Sequence, residues 1–121
     1  MQRLVQIRTY QLAPGTLLTF HRAFVEAAVP LLRAAGHDVV SFGPSLHKED
    51  AYYLIRAYDD LDDLNARQDA FYGSPQWRQG PRESILAVIQ QYLDAVLWLS
   101  PDAINDLRRR NAGDAGSRPE S

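Results

Sequence analysis

Apolar and polar residues alternate with a period of two through "LVQIRTYQL", predicting a first strand from about Leu4 to Leu12. Val5, Ile7 and Thr9 share one of its faces, and Gln6, Arg8 and Tyr10 share the other. Pro14 and Gly15 end the strand. From Thr16 to Ala35 the period becomes helical. Leu17, Phe20, His21, Phe24, Ala28, Leu31 and Ala35 form one stripe, with Thr19, Arg22, Glu26 and Arg33 opposite. Pro30 lies on the polar side of this helix, where water can satisfy the carbonyl of Glu26 that loses its donor. A curved helix is therefore expected, and not a broken one. Gly36 supplies the stop, and "HDVVSFGPSLH" predicts a second strand centred on Val39 to Phe42.

The segment "AYYLIRAY" predicts a third strand with Tyr52, Leu54, Arg56 and Tyr58 on one face and Ala51, Tyr53, Ile55 and Ala57 on the other. "DDLDDLNARQDAFYG" predicts a helix with acids at its N-terminus, where they complement the dipole, and with Leu61, Leu64, Gln68 and Tyr72 facing inward. Ser74 then caps a helix that has Pro75 at its first position. This helix is interrupted near Gly80 and Pro81 and continues through Ile85, Val88 and Ile89. "YLDAVLWLS" closes the sheet. Residues 1–100 make one domain, and 101–121 add a short helix to about Arg110, ending in a solvated Arg108-Arg109-Arg110 run, and a disordered tail.

The order strand, helix, strand, strand, helix, strand is that of the split βαβ unit. It predicts an α+β, ferredoxin-like βαββαβ protomer with an antiparallel four-stranded sheet. Helices cover one face of such a sheet, yet the strands are apolar on both faces, as at Val5 and Ile7 against Leu4 and Leu12. A second copy of the same sheet is the simplest cover, so a homodimer joined through its sheets is expected.

The 121 residues fit one domain, and 45% hydrophobic with 23% charged residues is an ordinary globular balance. A formal charge of −2 without a basic cluster inside the fold argues against nucleic acid. No run reaches the length of a membrane span or the apolar core of a signal peptide, so a cytoplasmic protein that does not bind membranes is expected. The absence of cysteine excludes disulfides, thiolate nucleophiles and Cys-ligated metals. His37 and His47 bracket the second strand as loop residues and share no metal spacing with His21, so no metal site is expected.

"IRTYQLAPGT" followed by "FHRAFVEAAVPLL", then "RAYDDLDDLNARQDAF" and "SPQW", resembles the NIPSNAP family within the dimeric α+β barrel superfamily. The resemblance spans roughly residues 4 to 99. It implies the ferredoxin-like protomer, pairing of two sheets into a dimeric α+β barrel, and a pocket between each sheet and its own helices. Activity is a separate matter, because one fold hosts many functions. Relatives in that superfamily include cofactor-independent monooxygenases, isomerases and cyclases of aromatic or polyketide compounds, haem-using enzymes, and members without a known reaction.

Arg8 and Arg56 repeat the same arginine-then-tyrosine spacing on two strands. An arginine stays charged, and its planar fork suits a carboxylate or enolate; the alternative is a pair with an acid such as Asp94. Tyr10, Tyr52 and Tyr58 either orient a ligand or serve as ordinary strand residues. His21, on the sheet-facing stripe, is either a general base or a core histidine bonded to a tyrosine hydroxyl. Trp77 lines a pocket or fills the core. The leading expectation is a small-molecule enzyme using no tightly bound cofactor, working by proton transfer on a compact aromatic or enolisable compound. In it His21, Arg8 and Tyr10 are catalytic, and Arg56, Tyr58, Tyr52, Gln68 and Trp77 contact the ligand. Arg8 and Tyr10 are expected to meet His21 in the space beneath the first helix. The competing expectation is a non-catalytic homodimeric ligand-binding or adaptor protein. Its sign is a collapsed space there, with His21 and both arginines satisfied by protein.

Overall fold

The computed structural model describes residues 1–111. Strands β1 (Arg3–Leu12), β2 (Asp38–Pro44), β3 (Ala51–Tyr58) and β4 (Ile89–Leu99) form one antiparallel sheet in the order β2-β3-β1-β4. This is the α+β, ferredoxin-like arrangement. β1 and β3 are central, so the two strands that carry Arg8 and Arg56 lie side by side, with Gln6 opposite Arg56 and Tyr10 opposite Tyr52.

The first helix begins as α1 (Leu17–Ala23), passes through a π-helical turn (Phe24–Ala28) and continues as α2 (Val29–Ala34). Pro30 has no N–H to give, and the turn before it is wound one residue wider, with the N–H of Val29 donating to the carbonyl of Phe24. Pro30 itself is exposed, on the solvent side. The start of α1 is held from across the sheet. The Asp50 carboxylate, in the β2–β3 loop, accepts from the backbone N–H of Gly15 at 3.1 Å and of Leu17 at 3.2 Å. Gly15 takes φ +81°, the left-handed region that glycine enters without a Cβ clash.

α3 (Leu61–Tyr72) is capped by Asp60, whose carboxylate accepts from the N–H of Asp63 at 2.8 Å. α4 (Pro75–Arg78) is capped by Ser74, and α5 (Arg82–Leu86) follows Pro81. Two sequence expectations fail here. Leu61 is exposed at the first position of α3, and the buried places on this helix go to Leu64, packed on Leu4 and Tyr58, and to Phe71. α5 ends at Leu86, and Ile89 already belongs to β4, pairing with Leu12 of β1.

The helix-side core gathers Tyr10, Leu12, Phe20, Phe24, Leu32, Tyr52, Leu54, Phe71 and Trp77. On the opposite face α6 (Pro101–Arg110) lies against Val5, Val40, Ile55 and Ala57 through Ile104. Residues 101–110 are thus packed on the same sheet as residues 1–100. Arg108 is no solvated terminus: its guanidinium donates to Asp38 at 2.9 Å, beside Arg3 at 2.7 Å. Burial raises the Asp38 carboxyl, and the two arginines more than offset that, holding it below the usual carboxylate range. The tail expected after about Arg110 lies outside the described residues, apart from Asn111. α6 leaves β4 uncovered, and Leu93 (65% exposed) and Leu97 (40%) stand open on this face while Val96 and Trp98 stand open on the other.

Candidate functional site

A cavity of about 670 Å³ lies between the sheet and the helices, within the range of small-molecule sites. Its inner wall is apolar: Phe24 and Ala28 from the π-helical turn, Leu32 from α2, Leu54 from β3, Phe71 from α3, Trp77 from α4 and Ile85 from α5, all buried. The wide turn before Pro30 therefore shapes the wall directly. Polar atoms enter from Arg8 and Tyr10 on β1, Gln68 and Tyr72 on α3, Arg78 and Arg82 near the mouth, and Gln90 and Gln91 at the start of β4. No carboxylate and no histidine is among the lining residues.

Arg8 and Tyr10 face this cavity, but His21 does not join them. Its Nδ1 shares a hydrogen bond of 2.6 Å with the Tyr52 hydroxyl, and its ring lies beside Tyr52 and Phe42. The helical stripe does turn His21 toward the sheet, but over β3 and β2, the wrong side of Phe24 for the cavity. Tyr52 is occupied by that bond, and burial raises its pKa above the ordinary tyrosine value. Arg8 takes the acidic partner that the sequence offers. Its Nε and Nη2 donate to the two oxygens of Asp94 at 2.7 and 3.1 Å, across the β1–β4 pair. Burial disfavours the Arg8 charge, yet the Asp94 bonds, with the neighbouring Tyr72 and Tyr10, together more than offset it and keep the guanidinium protonated. Its flat face lies 4.3 Å from the Tyr92 ring centre.

Arg56 is different. It is 0% exposed and has no carboxylate within ion-pair distance among the described residues. Its Nη1 donates to the Tyr72 hydroxyl at 2.9 Å and its Nη2 to Gln6 Oε1 at 2.9 Å, while Nε has no partner. Gln68 donates to the same Gln6 oxygen and to the Tyr58 hydroxyl, which in turn bonds His37 Nδ1 at 2.8 Å. A connected polar network thus runs from Tyr72, on the cavity wall, to His37. His37 lies in the loop just before β2, as expected, yet it is buried, with Nε2 unpartnered, and desolvation together with the nearby Arg56 charge lowers its pKa to about 4. Burial also raises Tyr10 and Tyr58 above the ordinary tyrosine value.

Of the residues singled out from sequence, Arg8, Tyr10, Gln68 and Trp77 line the cavity; Arg56 and Tyr58 stand behind the wall, and His21 and Tyr52 form a pair of their own. Tyr72, Arg78 and Arg82 were missed as site residues. Tyr72 was legible as an inward position of its helix, whereas nothing in a one-dimensional pattern marks arginines flanking the Gly80-Pro81 break as converging. Among the described residues no group of three metal-ligating side chains comes together.

The sequence pattern of the NIPSNAP family matches residues 5–102, most of the chain and all four strands. The chain belongs to the NIPSNAP family. This NIPSNAP chain has the fold of an uncharacterised NIPSNAP domain protein from Burkholderia xenovorans, at 17% identity and TM-score 0.71, covering 81% of this chain and 95% of that one. A NIPSNAP protein of unknown function from Agrobacterium tumefaciens is similar at 18% identity and TM-score 0.73, covering 81% and 88% of the two chains. A more distant likeness is a candidate antibiotic biosynthesis monooxygenase from Bacteroides thetaiotaomicron, at 15% identity and TM-score 0.58, covering 82% and 89%. At these identities the likeness is one of fold. No curated protein matches the chain.

Proposed function

We propose that this protein binds a compact aromatic or enolisable molecule in the cavity and, as an enzyme without a tightly bound cofactor, stabilises that molecule's oxyanion. The observation that carries the reading is Arg56: a fully buried guanidinium with no carboxylate partner among the described residues, donating to a tyrosine hydroxyl on the cavity wall. A buried cation without a counterion is costly, so a dry core would not retain it. Because Arg56 fills a lone pair of the Tyr72 oxygen, the Tyr72 proton is free to point at a ligand oxygen, and the charge behind it strengthens that bond. Arg8 and Tyr10 flank the same space. Negative charge developing on a ligand enolate or phenolate would meet oriented donors that need no reorganisation, the usual source of such catalysis.

With no histidine or carboxylate among the described residues of the wall, the proton leaves to water at the open mouth, and His21 has no part in the step. The same feature favours a second reading, a ligand-binding protein that does no chemistry. Exposed Leu93 and Leu97 on β4 support a homodimer in which a second copy covers the open part of the sheet.

The test uses 4-nitrophenol, whose colour reports its ionisation. In the presence of excess protein the probe should ionise at a lower pH than when free. A hydrogen bond to a charged acceptor contributes about 1.5–3 kcal/mol, so Tyr72→Phe should cost the phenolate about tenfold or more in affinity. Equal phenolate binding by Tyr72→Phe and the parent protein would refute the role of Tyr72.

A further inference from the structure

The charge around the cavity is out of step with the rest of the chain. The whole sequence carries a formal charge of −2. The cavity, however, is lined by Arg8, Arg78 and Arg82, with Arg56 behind Tyr72, and the Asp94 carboxylate bonded to Arg8 is their one ion-pair partner among the described residues. Arg78 and Arg82 sit at the mouth, are exposed, and make no hydrogen bond or ion pair with a described side chain. They stand on either side of the Gly80-Pro81 break between α4 and α5, which aims both at one opening instead of along one helix face. Beneath them lie Trp77 and Ile85, both buried, so the apolar wall begins where the cationic rim stops.

We infer that the cavity takes an organic acid: an apolar, ring-sized body seated between Trp77, Phe71 and Leu54, with a carboxylate at the rim held by Arg78 and Arg82. This rests on the reading of the cavity as a binding site and adds the class of compound. Two arginines offer forked donors that match a carboxylate in geometry as well as charge. The inner end, at Tyr72 and Arg8, is left for the reacting oxygen, so the preferred compound carries an oxygen function at the end remote from its carboxylate. A neutral analogue of the same shape would fill the apolar wall and forfeit only the rim.

The experiment compares 2-naphthoate with its neutral amide, 2-naphthamide, on the full chain. Binding is followed by calorimetry and by the emission of Trp77 in a Trp98→Phe background, Trp98 being exposed and the only other tryptophan. At low salt naphthoate should bind about tenfold tighter or more, a difference equivalent to about 1.4 kcal/mol. Added salt should narrow the gap, because the rim charges are open to screening. The double variant Arg78→Gln/Arg82→Gln should reduce the preference to about twofold or less. Equal affinities in the parent protein, or a preference untouched by the double variant, would overturn the inference while leaving the cavity a binding site. Failure of both probes to bind would overturn the inference and the binding-site reading together.

Discussion

Lowering the pH should weaken this protein earlier than its carboxylates account for, and the cause is His37. The ring is buried in the loop just before β2, its Nδ1 bonded to the Tyr58 hydroxyl and its Nε2 without a partner among the described residues. Desolvation is the largest influence and the Arg56 charge from β3 adds to it; from α3 the Arg67 backbone and the Asp63 carboxylate favour a charge on the ring and the Arg67 guanidinium opposes one, and the balance lowers the pKa from 6.5 to about 4. The unfolded chain therefore takes up a proton below 6.5, and the folded chain only below about 4. Stability is complete above the unfolded value and is lost as pH falls through this window, by at most about 3 kcal/mol. Asp38 and Asp63 are held below 3.8, so the stability that they supply disappears at lower pH still. Urea unfolding followed by circular dichroism from about pH 7 to about pH 4.5 reads the effect. A His37→Gln variant, neutral throughout, should flatten the slope. Parallel pH profiles for the two proteins would refute the argument, whatever their absolute stabilities.

Three further outcomes follow from the packing. Arg56→Met should be neutral or stabilising by up to about 2 kcal/mol in urea unfolding while weakening 4-nitrophenolate binding, because Gln6 keeps Gln68 and Tyr72 can reach water; a loss of several kcal/mol would mean that the charge is structural. Ile104→Ala should cost about 3 kcal/mol, since Ile104 is the buried anchor of α6; an unchanged melting temperature would contradict the packing of residues 101–110 on the sheet. Leu93→Asp should convert the proposed homodimer to a folded monomer in analytical ultracentrifugation, the residue being 65% exposed in the single chain; an intact dimer would move the interface elsewhere.

How far the sequence carried the architecture can be traced in particular residues. The strand alternation at Leu4–Leu12 and Ala51–Tyr58 is a local periodicity that the elements follow closely, and the helical stripe holds from Phe20 to Ala28; beyond the π-helical turn the buried positions are Val29 and Leu32, while Leu31 is half-buried and Ala35 is exposed. Pro30 on the polar side correctly meant a continuing helix, although the π-helical turn that accommodates it was not visible in the pattern. The site was harder because its logic is one of pairing. Asp94 satisfies Arg8 through strand register, and Tyr52 takes His21, two partnerships made between residues 86 and 31 positions apart. His37 is a loop residue, as its place after Gly36 indicates, but its burial was not legible there, because it is α3 that closes over it through Phe71. Arg56 stands out in the sequence for its charge, but only the fold reveals that no carboxylate among the described residues reaches it and that it bonds Tyr72 on the cavity wall.

The central claim is that the cavity is a binding site whose polar end is Tyr72 backed by Arg56. A crystal structure of the protein soaked with 4-nitrophenolate tests it most directly. The account predicts the ring between Trp77, Phe71 and Leu54 with the phenolate oxygen about 2.7 Å from the Tyr72 hydroxyl. A fully occupied probe on the exposed face of β4, with the cavity holding only water, would contradict it.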